Sequence, residues 1–253
     1  MLKQIKALKT KKGRDKLNQF IVEGEKFINE IPDNWNIRYY ACARRYADSK
    51  DLRQFKMRAH CELMDDHVFD SLSDTITPQG VLAVCEQKHF HLADVVKNNC
   101  FLFLGEGLSD PGNIGTLIRT AAAAGAGGFI LTHGSAELYS PKIVRSSAGA
   151  IFLLPIITGL QLDEIMPNLR NHGFNIYAAS LKGELLPYNV DFLSNFCLMV
   201  GNEAHGLTQQ AVNEADGLIK VPMTGCIDSL NASIAGSILM YEAVRQRTMT
   251  RNV

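Results

Sequence analysis

From residue 101 onward, short apolar runs alternate with segments of helical period. FLFLGE (101–106), GFILT (128–132), FLLPIIT (152–158), NIYAAS (175–180), CLMVGN (197–202) and LIKVPM (218–223) read as strands. Residues 113–125, 140–150, 162–173 and about 229–246 read as helices. In the first of these, Ile114, Leu117, Ile118 and Ala121 share one face and Gly125 ends the helix. In the second, Pro141 takes a tolerated first-turn position. Strands that alternate with helices predict a parallel α/β sheet.

The residues before this alternation are organised differently. A basic helix is expected over 3–18, a strand at FIVEG (20–24), a helix at EKFINEI (25–31), and strands at RYYACA (38–43), around Ala59–Leu63 and at VLAVCE (81–86). The polar stretch QKHFHLADVVKNNC (87–100) separates the two patterns and marks a domain boundary. The expected division is a small α/β domain over 1–92 and a larger α/β domain over 98–253.

Charge follows the same division. The chain is neutral overall, yet residues 1–16 hold seven Lys and Arg against Asp15 alone. Residues 38–58 add seven more, at Arg38, Arg44, Arg45, Lys50, Arg53, Lys56 and Arg58, against Asp48 and Asp51. The remainder is therefore acidic on balance. A basic part on an acidic chain fits a module that touches a polyanion, although a basic run also serves as a plain solvated helix face.

Other function classes fall away. The six cysteines, Cys42, Cys61, Cys85, Cys100, Cys197 and Cys226, form neither CxxC nor a zinc-ligand pattern with His, so they are expected as reduced thiols and no metal is expected. The basic start is not followed by the apolar stretch of a secretory signal, and no apolar run of membrane-spanning length occurs, so a cytoplasmic protein without membrane attachment is expected. The glycines between 105 and 115 do not form GxGxxG, and no acid follows at the expected strand end, which disfavours a nicotinamide cofactor.

Three constellations remain. In DPGNIGTLIRTAAAAGAGGFIL (110–131), Pro111 and Gly112 make a turn, Asn113 suits a helix N-cap, and Arg119 lies nearly two turns further on. In LMVGNEAHGL (198–207), an apolar strand runs into Gly201 and places Glu203 at its exit, where it could pair with an arginine. His205 reads more simply as structural or solvated. In IKVPMTGCIDSLNASIAGSILMYEAVRQR (219–247), Ser229, Asn231 and Ser233 gather at a helix start whose N–H groups are free. Taken singly, each constellation is served as well by capping and turn chemistry.

Their order is more specific. NIGTLIR, SPKIVRSSAGAIF (140–152), VGNEAHGL and VPMTGCIDSLNASIA, at their spacing, resemble the SpoU or TrmH-type branch of the SPOUT methyltransferases. KKGRDKLNQFIVEGEKF and SDTITPQGVLAVCE resemble the L30e-like substrate-binding domain often fused to that catalytic domain. The resemblance implies a parallel-sheet catalytic domain whose C-terminal segment is tied in a deep trefoil knot, a homodimer, and transfer of a methyl group from S-adenosyl-L-methionine to a ribose 2′-OH. Ribosomal RNA is the expected substrate, with transfer RNA, or a non-catalytic RNA-binding role on the same fold, as alternatives. The matching cofactor positions are Gly201, Val221, Met223, Leu230 and Ala232. The matching catalytic positions are Arg119, Asn113, Glu203, Ser229 and Asn231, with Glu203 expected to orient Arg119. Arginine is a poor base, so Arg119 is expected to stabilise a developing alkoxide or grip the adjacent phosphate. Lys11, Lys12, Arg14 and Arg145 are the expected RNA contacts.

Overall fold

The structure is a computed structural model that describes residues 1–98, 100–226 and 228–251. Its contacts divide into two compact units. Unit 1 holds Met1–Lys88 together with Glu137–Phe152; unit 2 holds His89–Ala136 and Leu153–Val253.

Unit 1 opens with helices α1 (Leu2–Leu8) and α2 (Lys11–Leu17) rather than one basic helix. The break falls at Thr10, whose hydroxyl accepts from the Gly13 N–H and caps α2. Strand β1 (Gln19–Glu23), helix α3 (Glu25–Asn29), strand β2 (Ile37–Ala43), helix α4 (Lys50–Arg58), strand β3 (Cys61–Met64), helix α5 (Asp66–Leu72) and strand β4 (Val81–Glu86) follow. The sheet order is β1-β4-β2-β3, antiparallel except for the parallel pair β2 and β3. The expected strands are all present; α4 and α5 are additional to the elements expected from the sequence.

The segment Glu137–Phe152 completes this unit. Phe20 on β1 packs against Tyr139 with ring centroids 4.5 Å apart. Trp35 meets Phe152 edge-on at 5.0 Å and donates its indole N–H to the Phe152 carbonyl at 3.0 Å.

In unit 2, after a short helix α6 (Leu92–Val95), come β5 (Phe101–Gly105), α7 (Pro111–Ala123) and β6 (Gly128–Thr132). Helix α8 (Pro141–Ser146) lies in the unit 1 segment and is shorter than expected: Ala148 and Gly149 turn with positive φ, and a 3-10 turn takes Ala150–Phe152. Strand β7 (Ile156–Leu160) starts only after Pro155, later than the run FLLPIIT suggests. Then come α9 (Leu162–Asn171), β8 (Asn175–Ala179), β9 (Phe196–Val200), α10 (Gln209–Glu214), β10 (Gly217–Ile219) and α11 (Ala232–Arg251). The six strands form the expected parallel sheet, in the order β10-β8-β9-β5-β6-β7. The central strands β5, β6 and β9 are buried at every position, which is why they read as unbroken apolar runs.

Two details place the site. All six strands run the same way, so the loops after β5, β8, β9 and β10 leave from one edge of the sheet, where ligands of open α/β sheets bind. Helix α11 packs closely on α7 and β5 at Gly236, where a Cβ would lie 2.8 Å from Leu117 and 3.0 Å from Phe103. Helix α7 ends in a Schellman motif: Ala126 N–H donates to Ala121 and Gly125 N–H to Ala122, with Gly125 at φ +75°.

Candidate functional site

The site is built from the exit of β9. Gly201 has no room for a side chain: a Cβ there would sit 2.2 Å from the Gly206 carbonyl carbon and 2.3 Å from the Leu207 nitrogen. The chain therefore folds back directly against its own backbone. Asn202 and Gly206 exchange backbone hydrogen bonds at 3.0 and 2.9 Å. The Asn202 side chain fixes both sides of this turn. Its Oδ1 accepts from the N–H groups of Ala204 and His205, and its Nδ2 donates to the Gly107 carbonyl at 2.7 Å. Glu203 stands at the tip.

The Glu203 carboxylate is met by the start of α7. Its Oε2 accepts from the Ser109 N–H at 3.2 Å and hydroxyl at 2.9 Å; its Oε1 accepts from the Asp110 N–H at 3.2 Å and from Asn113 Nδ2 at 3.0 Å. Burial pushes this carboxyl up, but hydrogen bonds from Asn113, from its own N–H and from Ser109 outweigh it and hold the group at about 2. Asn113 is not the N-cap expected from the sequence. Asp110 is, with Oδ1 accepting from the Asn113 N–H at 2.8 Å and Pro111 at the first helical position. This releases the Asn113 side chain for Glu203.

The network continues into α11. Asn231 Nδ2 donates to Asn113 Oδ1 at 2.9 Å, and Asn231 Oδ1 accepts from Ser233 N–H and hydroxyl and from Ile234 N–H. Its polarity follows from one charge. Ionised Glu203 is acceptor-only, so Asn113 must turn its NH2 toward it. That leaves Asn113 Oδ1 for the NH2 of Asn231, and Asn231 Oδ1 for the free N–H groups of α11. The expected helix start at Ser229 thus moves to Ala232, with Asn231 as its cap.

These loops enclose a cavity of about 640 Å³. All five expected cofactor positions, Gly201, Val221, Met223, Leu230 and Ala232, line it, as do Glu203, Ser229 and Asn231. Asn113 is tied to two of its walls. Arg119 is exposed on α7, and the Glu203 oxygens go to Ser109, Asp110 and Asn113 rather than to it, contrary to the expected Glu203–Arg119 pairing. Sequence reasoning missed Ser109, Asp110 and Asn202. The order Asp-Pro at a helix start could have identified Asp110 as the cap; a serine acting through its N–H and hydroxyl leaves no such signal.

Of the expected RNA contacts in unit 1, Lys11 and Lys12 are exposed on α2 and Arg145 is exposed on α8. Arg14 is not available to a phosphate. It is 4 % exposed, donates from Nε to Glu137 Oε1 at 2.6 Å and from Nη1 to the Leu8 carbonyl at 2.7 Å, and closes a second bond to Glu137 through Nη2. Among the described residues, no three His, Cys, Asp or Glu side chains gather as a metal site, and no helix is long and apolar enough to cross a membrane.

Comparison with known proteins gives two family matches. The SpoU rRNA Methylase family matches residues 101–241, and the MRM3-like substrate binding domain matches residues 1–83. The chain is 30% identical to the 23S rRNA (guanosine(2553)-2'-O)-methyltransferase RlmP of Bacillus subtilis, over 95% of this chain and 94% of that protein. Among solved structures it is similar to the SpoU methyltransferase AviRb from Streptomyces viridochromogenes in complex with the cofactor AdoMet, with a TM-score of 0.90 at 30% identity over 98% of this chain and 97% of that one. The AdoMet-bound rRNA methyltransferase from Sinorhizobium meliloti gives a TM-score of 0.88 at 30% identity, over 97% and 94%.

Proposed function

The chain belongs to the SpoU rRNA methylase family, and from that premise we propose that it is an S-adenosylmethionine-dependent methyltransferase acting on a ribose 2′-OH of ribosomal RNA. The observation that carries this reading is the cavity at the strand-exit edge of the parallel sheet, joined to the Glu203–Asn113–Asn231 network. At about 640 Å³ it has the size of a small-molecule site. Its walls combine backbone at Gly201–Leu207 with the apolar side chains of Val221, Met223, Leu230 and Ala232, which suits an adenosyl group. Bound there, S-adenosylmethionine supplies an electrophilic sulfonium methyl.

The chain's own residues hold and polarise the acceptor. Asn113, fixed on one side by Glu203 and on the other by Asn231, orients the ribose at the cavity rim. Ser229 and Asn231 hold the nucleotide against the wall they form. The Arg119 guanidinium stabilises negative charge developing on the ribose oxygen or on the adjacent phosphate. Lys11, Lys12 and Arg145 contact RNA phosphates.

The reading extends to assembly and place. Exposed Ile234, Ile238 and Tyr241, spaced along one face of α11, support a homodimer that covers them. The return of the chain from β10 to α11, packed on α7, supports a knotted C-terminal segment. An RNA substrate and six free cysteines support a cytoplasmic protein.

The test uses ribosomal RNA that lacks the modification and methyl-labelled S-adenosylmethionine. Wild-type chain is expected to protect one ribose linkage from alkaline cleavage. Arg119→Ala is expected to lose transfer while keeping calorimetric cofactor binding. No transfer by the wild type to any ribosomal RNA overturns the reading; transfer by Arg119→Ala at wild-type rate overturns the role of Arg119.

A further inference from the structure

Unit 1 holds a pair of thiols that methyl transfer does not use. Cys42 lies on β2 and Cys61 opens β3, the edge strand that pairs with β2 in parallel. Their side chains share one face of the sheet, and the two Sγ atoms lie 3.5 Å apart. The two thiols differ in surroundings. Cys42 is fully buried, whereas Cys61 is partly open to solvent. We propose that Cys42 and Cys61 form a peroxide-sensitive dithiol, with Cys61 as the attacking thiol and Cys42 as the resolving one.

The asymmetry gives the order of events. Donation from Cys42 and the nearby positive charge of Lys56 favour the Cys61 thiolate and lower its pKa, while the Cys42 thiol is pushed up by its bond to Cys61 and by burial. The Cys61 thiolate attacks one oxygen of hydrogen peroxide; the O–O bond breaks, the sulfur becomes a sulfenic acid, and the other oxygen leaves as water after protonation. The Cys42 sulfur then attacks the Cys61 sulfur. The S–O bond breaks, a second water leaves with the thiol proton, and a disulfide joins β2 to β3. Two thiols and one peroxide give one disulfide and two waters. Two other thiols lie elsewhere: Cys85 is buried on β4 opposite Ile37, and Cys226 is exposed in a loop of unit 2.

The full chain is treated with equimolar hydrogen peroxide, remaining thiols are blocked with N-ethylmaleimide, and tryptic peptides are read by mass spectrometry. A linked pair is expected, lighter than the two free peptides by two hydrogens and lost on treatment with dithiothreitol. Cys85 shares a tryptic peptide with Cys61, so variants assign the link. It is expected to persist in Cys85→Ser and to vanish in Cys61→Ser. In Cys42→Ser, dimedone is expected to trap a sulfenic acid on Cys61. A link that requires Cys85, a Cys61 that proceeds to sulfinic acid beside an unmodified Cys42, or a Cys61 untouched when Cys226 is consumed, overturns the proposal.

Discussion

Asn231 at the head of α11 donates its side-chain NH2 to Asn113 on the first turn of α7, at 2.9 Å and across 118 residues of chain. The bond joins the two helix starts that flank the cavity, and its direction is set by the charge on Glu203.

Asn231 serves two purposes that one substitution can separate. Serine caps a helix as well as asparagine does, but its short hydroxyl cannot also reach Asn113. Asn231→Ser is expected to leave thermal stability nearly unchanged and to lower kcat. Asn231→Ala is expected to lose about 1 kcal/mol of stability in addition. Asn113→Ala, which removes both bonds, is expected to lower kcat by about 10²-fold, the scale of one lost positioning donor. Steady-state kinetics beside thermal melts checks all three.

Glu203 gives a pH signature. Its carboxyl is held at about 2, below the ordinary 4.5, so the folded state prefers it ionised. That contribution is fully present above about 4.5 and is lost as pH falls toward about 2. Glu203→Gln turns an NH2 toward donors that need an acceptor. It is expected to melt below wild type at neutral pH, with the gap closing as pH falls through this window. A constant gap across the window is the contrary result.

Gly201→Ala tests the folded-back turn. A Cβ 2.2 Å from the Gly206 carbonyl carbon meets backbone, which cannot rotate away. The turn must open, at a cost of about 1–3 kcal/mol. Calorimetry is expected to show S-adenosylmethionine binding weakened by about tenfold or more, the equivalent of about 1.4 kcal/mol. Unchanged affinity contradicts the placement of the cofactor against this turn.

The basic start of the chain separates into the packed Arg14 and the exposed Lys11 and Lys12. Arg14 and Glu137 have side chains only 5% and 17% exposed, so Arg14→Ala leaves a largely shielded carboxylate without its ion-pair partner. A loss of about 3–5 kcal/mol is expected from denaturant unfolding. Lys11→Ala and Lys12→Ala are expected to leave stability unchanged. They should weaken RNA binding and reduce its dependence on salt.

Much of this was legible in the sequence. Strands β4 and β6 fall where their apolar runs place them, because a buried strand needs an unbroken run bounded by turn residues. The residues around the cavity were legible by name, but their connections were not. Glu203 takes its donors from residues 90–94 positions away, and a carboxylate bonds whichever N–H groups the fold brings within reach. Arg14 was misread for the same reason: its neighbours Lys11 and Lys12 are solvated, while its own partner lies 123 residues further along. Helices α4 and α5 are short and polar, and their patterns are too brief to separate from loop.

The Glu137–Phe152 segment belongs to unit 1 although the chain before and after it belongs to unit 2. The order of residues and the order of packing therefore disagree. A single cut after Lys88 would strip the N-terminal piece of Tyr139, Phe152 and the counter-ion of Arg14, leaving Phe20 and Trp35 without the rings they pack against. The N-terminal unit is not a cassette that recombination can lift out whole. An exchange of it between relatives must also carry sixteen residues from the middle of the catalytic gene, or find an acceptor whose own insert already fits.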